Sequence, residues 1–523
     1  MRPIVLSGFM ATGKTTLGKV LAARLGIPFV DTDEVIAQQA KRSVAELFKE
    51  EGEARFRMRE RDLVMPLLDD TKPKVISFGG GTVTMPDVRR KALDQAIVIT
   101  LTASPETIVA RNPDASARPN LAFPDPLTRA RELLEIRQEA YAECHLSIST
   151  EDVDLDASAD AICALVERNP IVVPLGLRTY TIDVTPGAPT ALTDALARLA
   201  PSSLLVVSDS NVLRARGDQL EEALHPLALE QHAITLAPGE RQKNLASVSA
   251  IWDAALGSGI DRDAVVLAFG GGVVGDMAGF AASTLLRGLR FVSSPTTLLS
   301  MVDASVGGKT GFDHPAGKNL IGSFHQPSAV VVDLAHLTTL GSRERNAGLA
   351  EVVKLALVHD EALFAELEAH AETLAEGSPE ALVDIVRRSI AGKVRIVRDD
   401  ERESGARALL NLGHTVGHAI EAAAGYSKWL HGEAVAIGTV LELRAMVRMG
   451  KLEESVAARA ERLFARLSLP TNVSRRELDA AWPMVFADKK RAGQSVKLPV
   501  VSGVGKAAVE KVPFASFKTA LFG

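Results

Sequence analysis

Eight residues, Gly8-Phe9-Met10-Ala11-Thr12-Gly13-Lys14-Thr15, constrain the start of this chain more than any other feature. They satisfy G-x-x-x-x-G-K-[ST], a backbone cradle for phosphates. Ile4-Val5-Leu6 ahead of them reads as a buried strand, and Leu17, Val20, Leu21 and Leu25 behind them recur at helical spacing. A strand, a glycine loop and a helix in that order aim backbone N–H groups and a helix N-terminus at an anion. The pattern assigns Gly8, Gly13, Lys14, Thr15 and Thr16 to a nucleoside triphosphate, with Lys14 on the β/γ-phosphates and the Thr15 hydroxyl on Mg²⁺.

The 523 residues are too many for one core, so two or three domains are expected. A net charge of −6 without a long basic run argues against nucleic acid as a partner. The most apolar stretch, Val265 to Ala282, is broken by five glycines and Asp276, which excludes a transmembrane helix. Cys144 and Cys163 form neither a disulfide framework nor a metal spacing, which fits a reducing cytoplasm. The first strand begins at once, so no signal peptide is expected.

The expected class is α/β throughout its first two parts. Strands are predicted at 3–7, 74–78 and 96–101, and again at 203–208, 264–269, 289–293 and 329–333. Four prolines mark Arg111 to Pro126 as a loop, and Arg168-Asn169-Pro170 punctuates a helix end. From Ser342 to about Leu467 the period is helical. The predicted domains are 1–168, a P-loop kinase-like parallel sheet with flanking helices; 171–335, a Rossmann-like α/β dinucleotide domain; and 336–523, an α-helical metal-binding domain.

In the first domain Asp31-Thr32-Asp33 follows an apolar strand at its C-terminal end, where open α/β sheets place ligands. One Asp can serve Mg²⁺ and the other the acceptor hydroxyl. Arg57 and Arg137 suit a small carboxylate, and Gly79-Gly80-Gly81 lets backbone approach a ligand. With Gly52-Glu53-x-x-Phe56-Arg57, Arg118-Pro119 and Arg137-x-x-x-Tyr141, the domain resembles shikimate kinase. The resemblance implies γ-phosphoryl transfer from ATP to shikimate. Asp33, Arg57, Gly79, Gly80 and Arg137 would bind that substrate, Asp31 would join Thr15 at Mg²⁺, and Arg118 would close a lid onto ATP.

In the second part a buried strand runs into Gly270-Gly271-Gly272-Val273-Val274-Gly275-Asp276, a G-x-G-x-x-G. It lacks the acid expected about twenty residues on, so a standard dehydrogenase is not indicated. Arg407, Asn411, His414 and His418 are spaced by four, three and four, which predicts a polar stripe on one face of one apolar helix. Four buried polar groups need a metal, a ligand or counter-charges, because each one left unpaired costs roughly 1–3 kcal/mol. From spacing alone His414 and His418 are the ligand pair, and two His with one Glu make an open zinc site.

Residues 171 to about 523 resemble 3-dehydroquinate synthase. The matching strings include Pro238-Gly239-Glu240-x-x-Lys243, Val302-Asp303-x-Ser305-Val306-Gly307-Gly308-Lys309-Thr310, Gly317-Lys318-Asn319, Ala350-Glu351-Val352-Val353-Lys354, Asn411-x-Gly413-His414-Thr415-x-Gly417-His418 and His431-Gly432-Glu433. The resemblance shifts the Zn²⁺ (or Co²⁺) ligands to Glu351, His414 and His431, with His418 facing substrate. It implies NAD⁺ on Asp209, Asn211, Glu240, Lys243, Gly271, Gly272, Val273, Asp276, Thr296, Thr297 and Lys318. It implies a seven-carbon keto acid phosphate on Asp303, Lys309, Asn319, Lys354, Lys393, Arg407 and Asn411, with Arg287 and one of Lys489 or Lys490 on its phosphate and Glu403 as a proton acceptor. Lys14, Asp33, Lys309, Lys354, Glu403 and His418 are the residues expected to take part in catalysis. The expectation is a bifunctional enzyme, homo-oligomeric through the synthase part. The alternatives are a synthase with a silent kinase-like module, or the same metal–NAD scaffold turned to another reaction, as in polyol dehydrogenases and sugar-phosphate cyclases.

Overall fold

The computed structural model describes residues 1–112, 124–151, 154–403, 405–489 and 495–523, with the side chains of 486–489 excepted. Two compact units emerge, Met1–Ile182 and Asp183–Gly523.

The first unit is built on five parallel strands: β1 (Ile4–Gly8), β2 (Phe29–Asp31), β3 (Val75–Ser77), β4 (Ile97–Thr102) and β5 (Leu146–Ser149), in the order β2-β3-β1-β4-β5. Strand residues alternate between two cores. Val5, Ile76 and Val98 enter one, and Ile4, Leu6, Val75 and Ile97 enter the other. Both faces are therefore covered, as a parallel sheet requires. The C-terminal ends of β1, β2 and β3 deliver the phosphate loop, Asp31 and the Gly79–Gly81 turn to one edge.

The chain leaves this unit along β7 (Tyr180–Thr185), whose start pairs antiparallel with β6 (Ile171–Val173). The second unit contains β8 (Ser203–Asp209), β9 (Glu230–Leu236), β10 (Val265–Gly270), β11 (Arg290–Pro295), the hairpin β12 (Lys309–His314) and β13 (Gly317–Phe324), and β14 (Ala329–Asp333). Strands run parallel in the order β14-β11-β10-β8-β9. Leu205, Val207 and Val266 face one core while Leu204, Val206 and Val265 face the other. Helices follow from Ser342 onward.

Two expectations need correction. The region 336–523 is not wholly helical: β15 (Ser495–Gly503) and β16 (Lys506–Pro513) form an antiparallel hairpin within it. The four-residue polar stripe is not on one helix either. A 3₁₀ segment, Ala406–Asn411, ends at Leu412, and a new α-helix, His414–Ala423, starts after Gly413 at φ 77°. Two forces impose the break. Gly413 occupies the left-handed region that glycine tolerates. The buried Glu442 carboxylate accepts from the Gly413 and Val416 N–H groups at 2.8 and 3.2 Å, satisfying donors that a helix start leaves open.

Candidate active sites

In the first unit one cleft of about 540 Å³ is lined by Gly13, Lys14, Thr15, Thr16, Asp31, Asp33, Arg57, Gly79, Gly80 and Arg137. Gly13, at φ 89°, starts the helix Lys14–Leu25, which begins three residues earlier than the apolar spacing suggested. The Lys14 ammonium donates to the carbonyls of Gly8 and Phe9 at 3.0 and 2.7 Å, which folds it back over the loop. Thr15 Oγ1 donates to Asp31 Oδ2 at 2.7 Å, while Asp31 Oδ1 caps the helix Thr32–Ala40 through the Asp33 and Glu34 N–H groups. Thr15 and Asp31 are thus paired beside the phosphate loop, and their oxygens are of the kind a hard divalent cation takes.

Across the cleft Arg57 bonds to Glu60 and, at 2.8 Å, to Glu53. Burial opposes the guanidinium charge, but Glu60 and Glu53 outweigh it and raise the pKa. Arg137 donates to the Gly80 carbonyl at 3.3 Å, and Tyr141 donates to the same oxygen. Two residues that line the cleft escaped the sequence reading. Glu60 is fully buried, and its other oxygen accepts from Thr82 Oγ1 at 2.6 Å. Arg111 reaches the Ala11 carbonyl of the phosphate loop at 3.4 Å and the Thr150 hydroxyl at 3.1 Å. The i, i+3 spacing of Arg57 and Glu60 on one helix was the available signal for the first; Arg111 had none. Arg118 lies outside the described residues.

In the second unit a cavity of about 550 Å³ gathers Asp276, Asp303, Lys309, Asn319, Lys354, Lys393, Glu403, Arg407, Asn411, His414, His418 and His431. The helices His414–Ala423 and His431–Arg448 cross closely enough that a β-carbon on Gly413 would lie 2.2 Å from Thr439 Oγ1, and one on Gly438 2.1 Å from the Gly413 carbonyl. That approach sets the His414 and His431 rings 5.3 Å apart, with His418 at 5.0 and 5.6 Å from the two. The buried Glu351 places Oε1 3.6 Å from His414 Nε2 and 3.7 Å from His431 Nε2.

The donors suit a metal. Tetrahedral ligands about 2 Å from zinc stand about 3.4 Å apart, close to the two Glu351 separations. His414 Nδ1 lies 3.2 Å from the Leu412 carbonyl, and His431 Nδ1 3.1 Å from Glu421 Oε2. Both contacts leave Nε2 free to ligate. Lys354 flanks Glu351, yet neither Glu351 oxygen accepts a well-formed hydrogen bond among the described residues. Burial opposes the Glu351 charge, but Lys354 and His414 outweigh it and bring the carboxyl to about 2. Burial lowers His414 well below its usual value and, with the neighbouring His431, takes His418 to about 4. Burial also opposes charge on His431, but the carboxylates of Glu351 and Glu421 prevail and raise it to about 10.

Around this set Lys393 bonds to the Asp303 side chain and carbonyl, Glu403 bonds to Lys309 and accepts from Asn411 Nδ2 at 2.9 Å, and Arg407 donates to the Gly307 carbonyl at 3.1 Å. Burial opposes the Asp303 charge, but Lys393 and Lys354 hold it far below the usual carboxylate range.

Beside the cavity β10 runs into Gly271 and the helix Gly272–Thr284, so the glycine loop opens a helix N-terminus as expected. Lys243 bridges Asp276 at 2.6 Å and Asn319 at 2.5 Å; burial opposes its charge, and Asp276 outweighs burial and raises it. The buried Thr296 hydroxyl has no partner among the described residues, an orphan polar atom next to the loop that fits a dinucleotide. Thr297 is spent on Ser300 at 2.8 Å, and Asp209 caps the helix Ser210–Leu224 through the Asn211 N–H at 2.9 Å. Lys318 pairs with Glu240 at 2.9 Å. Arg287, on a short turn at φ 72°, is not brought to the cavity lining. Lys490 and the Lys489 side chain lie outside the described residues.

Three family models match the chain: shikimate kinase over residues 10–167, 3-dehydroquinate synthase N-terminal over 233–347 and 3-dehydroquinate synthase C-terminal over 348–491. A 3-dehydroquinate synthase of Halorhodospira halophila is 46% identical over 337 residues, 64% of this chain and 94% of that one. Among solved structures ValA, the 2-epi-5-epi-valiolone synthase of Streptomyces hygroscopicus subsp. jinggangensis 5008 with NAD⁺ and Zn²⁺ bound, matches at 33% identity and TM-score 0.59, over 65% of this chain and 95% of that one. A 2-deoxy-scyllo-inosose synthase complexed with carbaglucose-6-phosphate, NAD⁺ and Co²⁺ shares the fold at 24% identity and TM-score 0.62, over 68% and 99%.

Proposed function

The chain belongs to the 3-dehydroquinate synthase family with a shikimate kinase domain ahead of it, and we propose that it performs both reactions of aromatic biosynthesis. We assign phosphorylation of shikimate to residues 1–168, dinucleotide binding to 171–335, and metal and substrate binding to 336–523. The observation that carries the synthase reading is the approach of the buried Glu351 to His414 and His431, two residues that line a cavity with Lys309, Lys354, Lys393 and Arg407. A metal set ringed by cations fits a substrate with a carboxylate and a phosphate, here 3-deoxy-D-arabino-heptulosonate 7-phosphate.

When bound, zinc supplies Lewis acidity at the hydroxyl to be oxidised, and NAD⁺ supplies a reversible hydride acceptor. The chain's residues do the rest. Arg407, Lys354 and Lys393 bind the anionic groups. Asn411 and Lys309 hold Glu403, whose carboxylate stays ionised because they outweigh its burial, so it can accept a proton. His418, kept neutral by burial, is placed to accept or orient a substrate hydroxyl. The net change is phosphate loss and ring closure without net oxidation.

In the kinase cleft Arg57 and Arg137 bind the shikimate carboxylate, and Asp33 accepts the hydroxyl proton. Lys14 follows the γ-phosphate, and Thr15 and Asp31 hold Mg²⁺. That these residues line one cleft supports an active kinase over a silent module. The free thiols Cys144 and Cys163 fit a cytoplasmic location, and assembly through the synthase region belongs to the same proposal. The test is twofold. Phosphate should be released from the heptulosonate phosphate at catalytic NAD⁺ without NADH build-up, and ADP should form only when shikimate accompanies ATP. Absence of either product from active-site-titrated protein refutes that half.

A further inference from the structure

The proposed chemistry gives no role to a buried acid beside the metal ligands. Glu421, near the end of the helix His414–Ala423, is 3% exposed. One of its oxygens meets His431 Nδ1 at 3.1 Å, and the other lies 3.7 Å from Lys318 Nζ. Lys318 is shared: its ammonium is 2.9 Å from Glu240 Oε1 and 4.4 Å from the centre of the Tyr426 ring. The chain of contacts runs Glu240, Lys318, Glu421, His431, from the residues assigned to the dinucleotide to those assigned to the metal.

The contacts have a direction. With Nδ1 engaged by a carboxylate, His431 turns Nε2 toward Glu351, 3.7 Å away, and becomes a stronger donor to a cation. A lysine on the same carboxylate withdraws charge from it. Were Glu421 only a buried counter-charge for Lys318, its second oxygen would have no reason to meet the ring nitrogen that points away from the ligand cluster.

We propose that Glu421 is a positioning residue that fixes the tautomer and orientation of His431 for a divalent metal. Lys318 opposes it, so metal affinity depends on how Lys318 divides between Glu421 and Glu240. The inference rests on Glu351, His414 and His431 being the metal set.

The test uses the full chain stripped of metal. Zn²⁺ is titrated against a chromogenic chelator, and Co²⁺ is followed by its visible absorption. Glu421→Gln should weaken Zn²⁺ binding by about 10–100-fold and shift the Co²⁺ bands. Lys318→Met should tighten Zn²⁺ binding in the parent but not in the Glu421→Gln background. Unchanged affinity and spectrum in Glu421→Gln overturn the proposal, as does equal tightening by Lys318→Met in both backgrounds. If thermal melts show Glu421→Gln unfolded, Lys318→Met alone decides, and unchanged Zn²⁺ affinity there refutes it. His431→Ala separates the two layers: undiminished Zn²⁺ binding in that variant removes the metal assignment itself, and the role of Glu421 with it.

Discussion

Gly79 gives the sharpest handle on the kinase cleft. A β-carbon there would lie 2.2 Å from Glu60 Oε1 and 2.8 Å from Asp33 Oδ1, inside any real contact distance. Glu60 cannot yield freely, because it is fully buried and held by Arg57 and by Thr82 Oγ1 at 2.6 Å. Gly79→Ala must therefore displace Glu60 by about an ångström, and Arg57 and Asp33 with it. Forcing one methyl into a packed site costs about 1–3 kcal/mol. If that strain is relieved only when shikimate is misplaced, kcat/KM for shikimate falls by about 5- to 160-fold, at about 1.36 kcal/mol per decade. The assay is steady-state ADP formation at saturating ATP with shikimate varied. The ATP KM should hold, because the phosphate loop is not touched. An unchanged kcat/KM for shikimate would refute the packing argument and the role of Glu60 in holding Arg57.

Other outcomes follow from the same geometry. Glu351→Ala or His414→Ala should remove bound zinc, read by metal analysis, and abolish phosphate release while kinase turnover persists; joint loss in a folded protein contradicts independent sites. Lys14→Ala should abolish shikimate-dependent ADP formation alone. His145 is buried and its Nδ1 accepts the Val98 N–H at 3.0 Å, so it must be neutral, and burial first, then Arg2, lowers its pKa to about 3 from 6.5. A histidine depressed in the fold contributes stability above pH 6.5 that is lost as pH falls through the window down to about 3, at about 1.4 kcal/mol per pH unit. Acid unfolding of His145→Asn should accordingly show a shallower limb between those values; an identical slope would refute the assignment.

Much of this was legible from local pattern. The phosphate loop, Asp31 and Asp33, and the Gly270 loop are short motifs at strand ends, so spacing alone places them on a sheet edge. The stripe Arg407, Asn411, His414 and His418 failed as a helix and still reached one cavity. The reasons are Gly413, at a left-handed φ, and Glu442, whose carboxylate comes from a helix later in the chain and stabilises a break that the intervening leucines do not signal. Glu60 and Glu421 escaped for a related cause. Each reads as an ordinary helical acid until the fold presses it against Thr82 or His431. The hairpin β12–β13, which carries Lys309, Lys318 and Asn319, has glycines and polar residues where alternation would announce strands.

The most direct trial of two activities in one chain is a ³¹P NMR time course on a single zinc-loaded preparation. It is supplied with the heptulosonate phosphate, shikimate, ATP with Mg²⁺ and catalytic NAD⁺. The account predicts that the sugar-phosphate signal converts to inorganic phosphate while a new phosphomonoester grows in step with ADP. Disappearance of only one substrate, or ADP formation independent of shikimate, would contradict it.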